Sequence, residues 1–238
     1  MKNAKADRIM SRWGFYLMGL ALMALLYSPF LIHRHKPEFE RQLFSELCVE
    51  SGAKLACFQR VEDKLKAIEQ AVVAMSAVGA RQRPWLRDFA LALIEAERLY
   101  EIPYDYLLGV ALVESRLDRW ALSNKGAQGV FQILPRTARA LWPDFLMTLS
   151  ETDPLRRLDP SLDSHDIRLS TLLGAFYLKQ LSEELGGLDS ALAGYWVGPT
   201  RLRQARRNGE VLGTSYIRRV QSFVEQYRFR RDQVSKLI

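Results

Sequence analysis

Apolar positions along this chain fall into two regimes. Residues 13–32 carry no charge and read Trp-Gly-Phe-Tyr-Leu-Met-Gly-Leu-Ala-Leu-Met-Ala-Leu-Leu-Tyr-Ser-Pro-Phe-Leu-Ile. A helix of that length, rising roughly 1.5 Å per residue, matches a hydrocarbon core of about 30 Å. Lys2, Lys5, Arg8 and Arg12 precede the run, and Arg34 and Lys36 follow it with Glu38 and Glu40 nearby. The positive-inside rule then places residues 1–12 in the cytoplasm and the rest outside. Trp13, Tyr16 and Tyr27 fall near the two interfaces. A cleaved signal peptide is the competing reading. The run is long for one and no small-x-small site follows it, so an uncleaved single-pass anchor is expected.

Beyond the anchor, apolar residues recur at helical steps. Leu55, Phe58, Val61, Leu65, Ile68 and Val72 are three or four apart, which predicts amphipathic helix within a connecting region at 33–83. This helix can pack on the following domain or on a partner. Pro84 suits the first turn of a helix over 84–100, with Phe89, Leu93, Ala96 and Tyr100 as its stripe. A second helix is predicted over 103–117, a loop with Ser123, Asn124, Gly126 and Gly129 after it, and a short helix over 135–141. Another spans 166–185 and stops at Gly186-Gly187. Ser190 caps a helix that meets Gly198-Pro199, and a last one covers 215–231. No stretch alternates convincingly at period two, so the fold is expected to be mainly α.

One of these stripes carries a charge. Leu107, Val110, Ala111, Glu114 and Leu117 follow the i, i+3, i+4, i+7 pattern. Glu114 must be half-buried or border a cleft. Burial disfavours the charged form of a carboxyl and raises its pKa, which is what a general acid requires. The plainer alternative is a glutamate at the edge of the stripe, satisfied by Arg116 or Arg136.

Charge refines the picture. Residues 1–83 carry 13 Lys/Arg against 8 Asp/Glu, residues 84–200 carry 11 against 16, and residues 201–238 carry 10 against 3. A basic tail of this kind suits an anionic polymer or lipid, or is simply a solvated helix face. Neither zinc-finger spacing nor an RNA-binding aromatic signature accompanies it, so nucleic acid is not the expected partner. Cys48 and Cys57 are the only cysteines. They lack metal-ligand spacing, and either pair with each other in an oxidising compartment or are two small buried residues.

From Glu114 the chain reads Glu-Ser-Arg-Leu-Asp-Arg-Trp-Ala-Leu-Ser-Asn-Lys-Gly-Ala-Gln-Gly-Val-Phe-Gln-Ile-Leu-Pro-Arg-Thr-Ala. This resembles the lytic transglycosylases of the soluble-enzyme (SLT) family, whose pattern is Glu-Ser, then Ser-x-x-Gly-Ala-x-Gly-Leu-Met-Gln-x-x-Pro-x-Thr-Ala. Spacings agree without a gap. Asp159-Pro160, Asp166-Ile167 and Gly174-Ala-Phe-Tyr-Leu178 are similar to the family's next stretches. So are Ala191-Leu-Ala-Gly-Tyr195-Trp-Val-Gly198-Pro199 and Tyr216-Ile-Arg-Arg-Val220. The resemblance covers about half of the chain, in order. It departs at Val130-Phe131 for Leu-Met, at Asp166 for asparagine, and at Trp196, where the family has an asparagine in the cleft. Tryptophan cannot copy those amide hydrogen bonds, but it can stack on a sugar face.

The resemblance implies a lysozyme-like catalytic domain over 84–238 that cuts the β-1,4 bond between N-acetylmuramic acid and N-acetylglucosamine in peptidoglycan. Glu114 would be its single catalytic acid/base, with no metal or cofactor. Ser123, Gly129, Phe131, Gln132, Tyr195, Trp196 and Tyr216 would bind the glycan strand or line the cleft. Joined to the anchor, this predicts a bacterial inner-membrane enzyme facing the periplasm and serving a conjugation or secretion apparatus. A lysozyme-type hydrolase would instead need a second carboxylate, for which Asp118 and Asp166 are nominal candidates. A non-enzymatic glycan-binding scaffold is the other alternative.

Overall fold

The structure is a computed structural model that describes residues 40–41, 43–48, 54–75 and 85–235. The expected anchor at 13–32 lies outside the described residues. Among those described, no helix is long and apolar enough to cross a membrane. The chain divides into two compact units, Met1–Gln59 and Arg60–Ile238. In the first, Cys48 and Cys57 are joined by a disulfide and both are buried, so the pair is at once bonded and apolar. The Phe44 and Phe58 rings lie beside it in sequence, 5.8 Å apart.

Helix α1 (Lys54–Met75) begins in the first unit and ends in the second. Then come α2 (Leu86–Tyr100), α3 (Tyr104–Ser115) and α4 (Pro135–Met147), a 3-10 turn at Pro154–Arg157, α5 (Ile167–Leu185), α6 (Leu188–Val197), α7 (Pro199–Arg207) and α8 (Thr214–Ser235). The second unit is built around α5, which touches α2, α3, α4 and α6. Leu169, Leu172, Ala175 and Leu178 of α5 and Phe89, Ala92, Leu93 and Ala96 of α2 have no exposed surface. Leu65, Ile68 and Val72 of α1 are equally buried, so this half of the predicted connecting helix contributes to the domain core. Charges fasten it there: Lys64 Nζ meets Glu97 Oε2 at 2.5 Å, and Arg87 donates to both oxygens of Glu62.

The predicted helices are present with shifted ends. The third ends at Ser115 rather than 117, because Arg116 and Leu117 adopt φ of 53° and 63°. The Leu117 N–H then reaches the Ala111 carbonyl at 3.4 Å and closes the helix in the manner of a Schellman turn. The fourth continues through Pro143 to Met147. Its next turn buries Phe145 against Trp142 and Phe176, and this packing outweighs the lost N–H. Helix α7 has no counterpart in the periodicity reading. Only Leu202 and Ala205 of its nine residues are buried, too few for a visible stripe.

A buried charge cluster joins three elements. Arg168 of α5 donates to both oxygens of Glu95 on α2, at 2.6 and 2.8 Å. It also donates to both oxygens of Asp153 at 2.7 and 2.8 Å. Burial alone would push the Asp153 carboxyl up, but the bonds and charge of Arg168 outweigh it and hold the group below its ordinary range. Removing one partner of such a cluster strands buried charge, at a cost of about 3–5 kcal/mol. Arg168→Met is therefore expected to lower the melting temperature clearly at pH 7. The depressed pKa makes the Asp153 contribution present above the unfolded value of about 3.9 and lost as pH falls through the folded one. The gap between variant and wild type should narrow in acid, as thermal unfolding across pH will show.

Candidate active site

Glu114 lies in the last turn of α3, and Tyr216 in the first turn of α8. These two helices run antiparallel and touch along their length. Tyr104 and Tyr227 hydroxyls pair at 2.8 Å, and Arg228 Nε donates to Asp105 Oδ2 at 2.7 Å. Midway, a Cβ on Gly109 would stand 3.0 Å from the Val220 carbonyl oxygen, so glycine eases this close approach of the backbones. At the far end the Tyr216 hydroxyl donates to Glu114 Oε1 at 2.6 Å.

The acid is half-buried. Burial pushes its pKa up, and the Tyr216 hydrogen bond and the charge of Arg219 oppose that push without cancelling it. Arg219 is the cation that acts on the site, rather than Arg116 or Arg136. It sits one helical turn beyond Tyr216, with its guanidinium 5.7 Å from the Tyr216 ring. Tyr216 is fully buried. Burial and the neighbouring Glu114 charge keep its hydroxyl protonated, so it remains a donor. Trp196, at the end of α6, lies parallel to the Tyr216 ring with centroids 6.2 Å apart, and half of its surface is exposed. Tyr195 beside it donates to the Phe131 carbonyl at 2.6 Å. Burial, then the charge of Glu114, raises the Tyr195 pKa.

The loop between α3 and α4 supplies the other predicted residues. The Ser123 N–H donates to the Ala127 carbonyl at 2.9 Å, and the Ser123 hydroxyl oxygen accepts from the Ala127 N–H at 2.9 Å. That oxygen keeps its own hydrogen to donate elsewhere. Gly129 has φ of 73°, and a Cβ there would stand 2.2 Å from the Ser164 carbonyl oxygen. Gln132, at φ 48°, spends its side-chain NH2 on the carbonyls of Ala121 and Gly129, each at 3.0 Å. Its amide thus braces the loop. Phe131 departs from expectation. Its side chain has no exposed surface and lies against Gly174 of α5, so it anchors the loop in the core instead of lining the cleft. A larger, rigid ring in place of the family's methionine fills that core position.

Several residues of the site escaped the sequence reading. Ser115 Oγ donates to the Val130 carbonyl at 2.8 Å and ties the helix end to the loop. Ser164 Oγ donates to Gln128 Oε1 at 2.6 Å, and Ser170 Oγ accepts from the Phe131 N–H at 3.4 Å. Ser115 belongs to the Glu-Ser motif and only its partner was hidden, whereas Ser164 and Ser170 are isolated serines that give no pattern. Arg219 did have a signal, its i+3 spacing from Tyr216. Asp118 and Asp166, the nominal second carboxylates, each accept one backbone N–H at Oδ1. Asp118 accepts from the Trp120 N–H at 2.9 Å. Asp166 caps α5, accepting from the Leu169 N–H at 2.8 Å. A separate cavity of about 440 Å³ lies between α1 and α8, lined by Ala67, Ala71, Ala74 and Phe229 among others. Gln70, Arg230 and Arg231 also line it, and it contains none of the groups described above.

The described domain is helical, with a half-buried glutamic acid between two helix ends and a braced polar loop. The Transglycosylase SLT domain model matches residues 92–217, more than half of the 238-residue chain, and the chain belongs to that family. Two solved structures are similar. One is the 70 kDa soluble lytic transglycosylase SLT70 from Escherichia coli, at 18% identity and a TM-score of 0.49, covering 84% of this chain and 34% of that one. The other is the 70-kDa soluble lytic transglycosylase in complex with bulgecin A, at 20% identity and a TM-score of 0.47, with the same 84% and 34% covered. The chain thus spans about a third of the length of those proteins. No curated protein matches it.

The raised pKa has a consequence for stability. A carboxyl whose folded pKa lies above its unfolded value of about 4.3 favours folding least when ionised. The penalty grows as pH climbs from the unfolded towards the folded pKa, and persists above it. Glu114→Gln removes the penalty while its amide oxygen can still accept from Tyr216. Its melting temperature at pH 7 is expected to equal or exceed that of wild type, with the difference gone in acid. A clear fall at pH 7 would make Glu114 part of a structural ion pair instead.

Proposed function

We propose that this protein is a peptidoglycan lytic transglycosylase, cutting the β-1,4 bond between N-acetylmuramic acid and N-acetylglucosamine without water. The observation that carries this reading is Glu114: a single half-buried carboxyl with a raised pKa, held at Oε1 by Tyr216. Tyr216 occupies one oxygen, so the proton sits on Oε2, where it can be given to the leaving glycosidic oxygen. The acetamido group of the muramic residue stabilises C1 as that bond breaks. Ionised Glu114 then takes the proton of the muramic C6 hydroxyl. The C6 oxygen bonds to C1 and closes a 1,6-anhydro ring, and the acid is regenerated. Ser123 donates its remaining hydroxyl hydrogen to the sugar, and Trp196 offers its exposed face.

Tyr195 and Gly129 act through the loop they hold. The hydrolase alternative needs Asp118 or Asp166 as a second carboxylate, and product analysis of their variants separates the two reactions. General acid–base catalysis contributes about 10²–10⁴-fold, and Glu114 serves both proton transfers. Glu114→Gln should therefore fall at or beyond the top of that range, whereas Asp118→Asn and Asp166→Asn should lose far less. Mass analysis of muropeptides released from purified sacculi should find 1,6-anhydro ends. Reducing ends, together with an aspartate variant as inactive as Glu114→Gln, would establish a hydrolase.

The same proposal places the domain in the bacterial periplasm, tethered to the inner membrane by residues 13–32. Two features support it: the uncharged run behind a basic leader, and the Cys48–Cys57 disulfide, which suits an oxidising compartment. A tethered wall-cutting enzyme suits local opening of peptidoglycan for a conjugation or secretion apparatus. A periplasm-only reporter fused after about residue 40 is expected to be active. Activity of a cytoplasm-only reporter at that junction would reverse the orientation.

A further inference from the structure

Trp120 is two-thirds exposed, at 67%, an unusual setting for the largest apolar side chain. It is nevertheless fixed in place. Its ring stacks on His165 with centroids 4.6 Å apart and 16° between planes. Arg119 stands over the same ring at 5.2 Å, and its Nε donates to the His165 carbonyl at 3.0 Å. The Trp120 N–H is held by Asp118. Leu122 and Leu162, on the same two segments, are 70% and 74% exposed. They add exposed apolar surface to the two segments that carry the ring pair.

This surface is continuous with the candidate site. Ala121, next to Trp120, accepts from both Gln132 Nε2 and the Gly129 N–H. The segment bearing His165 is fastened to that loop through Ser164 and Gln128. Trp120 follows Glu114 by six residues, so at most about 20 Å of chain separates them. A polymer lying in the cleft extends over that distance on at least one side.

We propose that the Trp120–His165 pair is a stacking subsite for sugar rings of the glycan strand lying outside the cleaved bond; this rests on the function proposed above. A pyranose ring has an apolar face of C–H groups. The negative face of an indole attracts those hydrogens, as it does the edge of another ring. An indole already locked by His165 and Arg119 loses little freedom on binding. Arg119 adds a cation where the strand's peptide carboxylates pass.

The test uses full-length Glu114→Gln protein, which retains substrate, and β-1,4-linked N-acetylglucosamine oligomers as probes. Calorimetric titration should show hexamer affinity about tenfold weaker in Glu114→Gln/Trp120→Ala than in Glu114→Gln. Trimer affinity should be unchanged, and Trp120→Phe should recover much of the hexamer binding. Equal hexamer affinities overturn the subsite, as does absence of hexamer binding to Glu114→Gln. Equal loss for trimer and hexamer also overturns it, since Trp120 would then act through the loop. Wild-type protein that releases no muropeptides, while the hexamer still needs Trp120, overturns the catalytic reading alone.

Discussion

The hydrogen bond from Tyr216 to Glu114 joins residues 102 positions apart, and most of the structure serves to make it possible. It forms only if the end of α3 meets the beginning of α8. Three further contacts set that register: Asp105 with Arg228, Tyr104 with Tyr227, and Gly109 against Val220 and Val224. A Cβ at position 109 would need Val220 to give by a few tenths of an ångström at the contact between the helices. The acid is thus held by an antiparallel helix pair whose closest approach is about one and a half turns away along α3.

A second constraint is backbone strain on the loop that follows. Among the described residues, four non-glycine positions have positive φ, and three of them, Arg116, Leu117 and Gln132, bracket this loop. Each such conformation costs about 1–3 kcal/mol and persists only where its surroundings over-determine it. Here the surroundings are identifiable. Ser115 and Tyr195 hold the carbonyls of Val130 and Phe131, Gln132 holds those of Ala121 and Gly129, and the Phe131 ring is sunk into the core. The loop is rigid because polar groups on several elements compensate for its unfavourable dihedrals, which keeps Ser123 in place beside the helix that ends in Glu114.

How much of this was legible in the sequence depended on the range of each interaction. Helices α2 and α3 were readable from apolar residues at three- and four-residue spacing and from proline at their starts, and α5 from its Gly186-Gly187 stop, although each is buried well beyond one stripe. Glu114 stood out because it interrupts such a stripe. Helix α7 was not readable, since it buries two side chains and exposes its arginines. The Arg168 cluster brings together residues 73 and 15 positions apart, and nothing local marks Arg168 as buried. The burial of Phe131 was equally hidden. The motif fixes its position in the loop, whereas its direction depends on Gly174, more than forty residues on.

Trp196 is where sequence and structure together say more than either alone. The indole found here lies parallel to the Tyr216 ring, with centroids 6.2 Å apart, and Tyr216 has no exposed surface. Burial is the largest influence on Glu114 and acts to raise its pKa, which favours the protonated acid that the proposed first proton transfer needs. In the proposed function, an indole in place of an amide gives up a directional bond and offers the half-exposed Trp196 face, on which a sugar would stack with selection for ring orientation more than for any one hydroxyl.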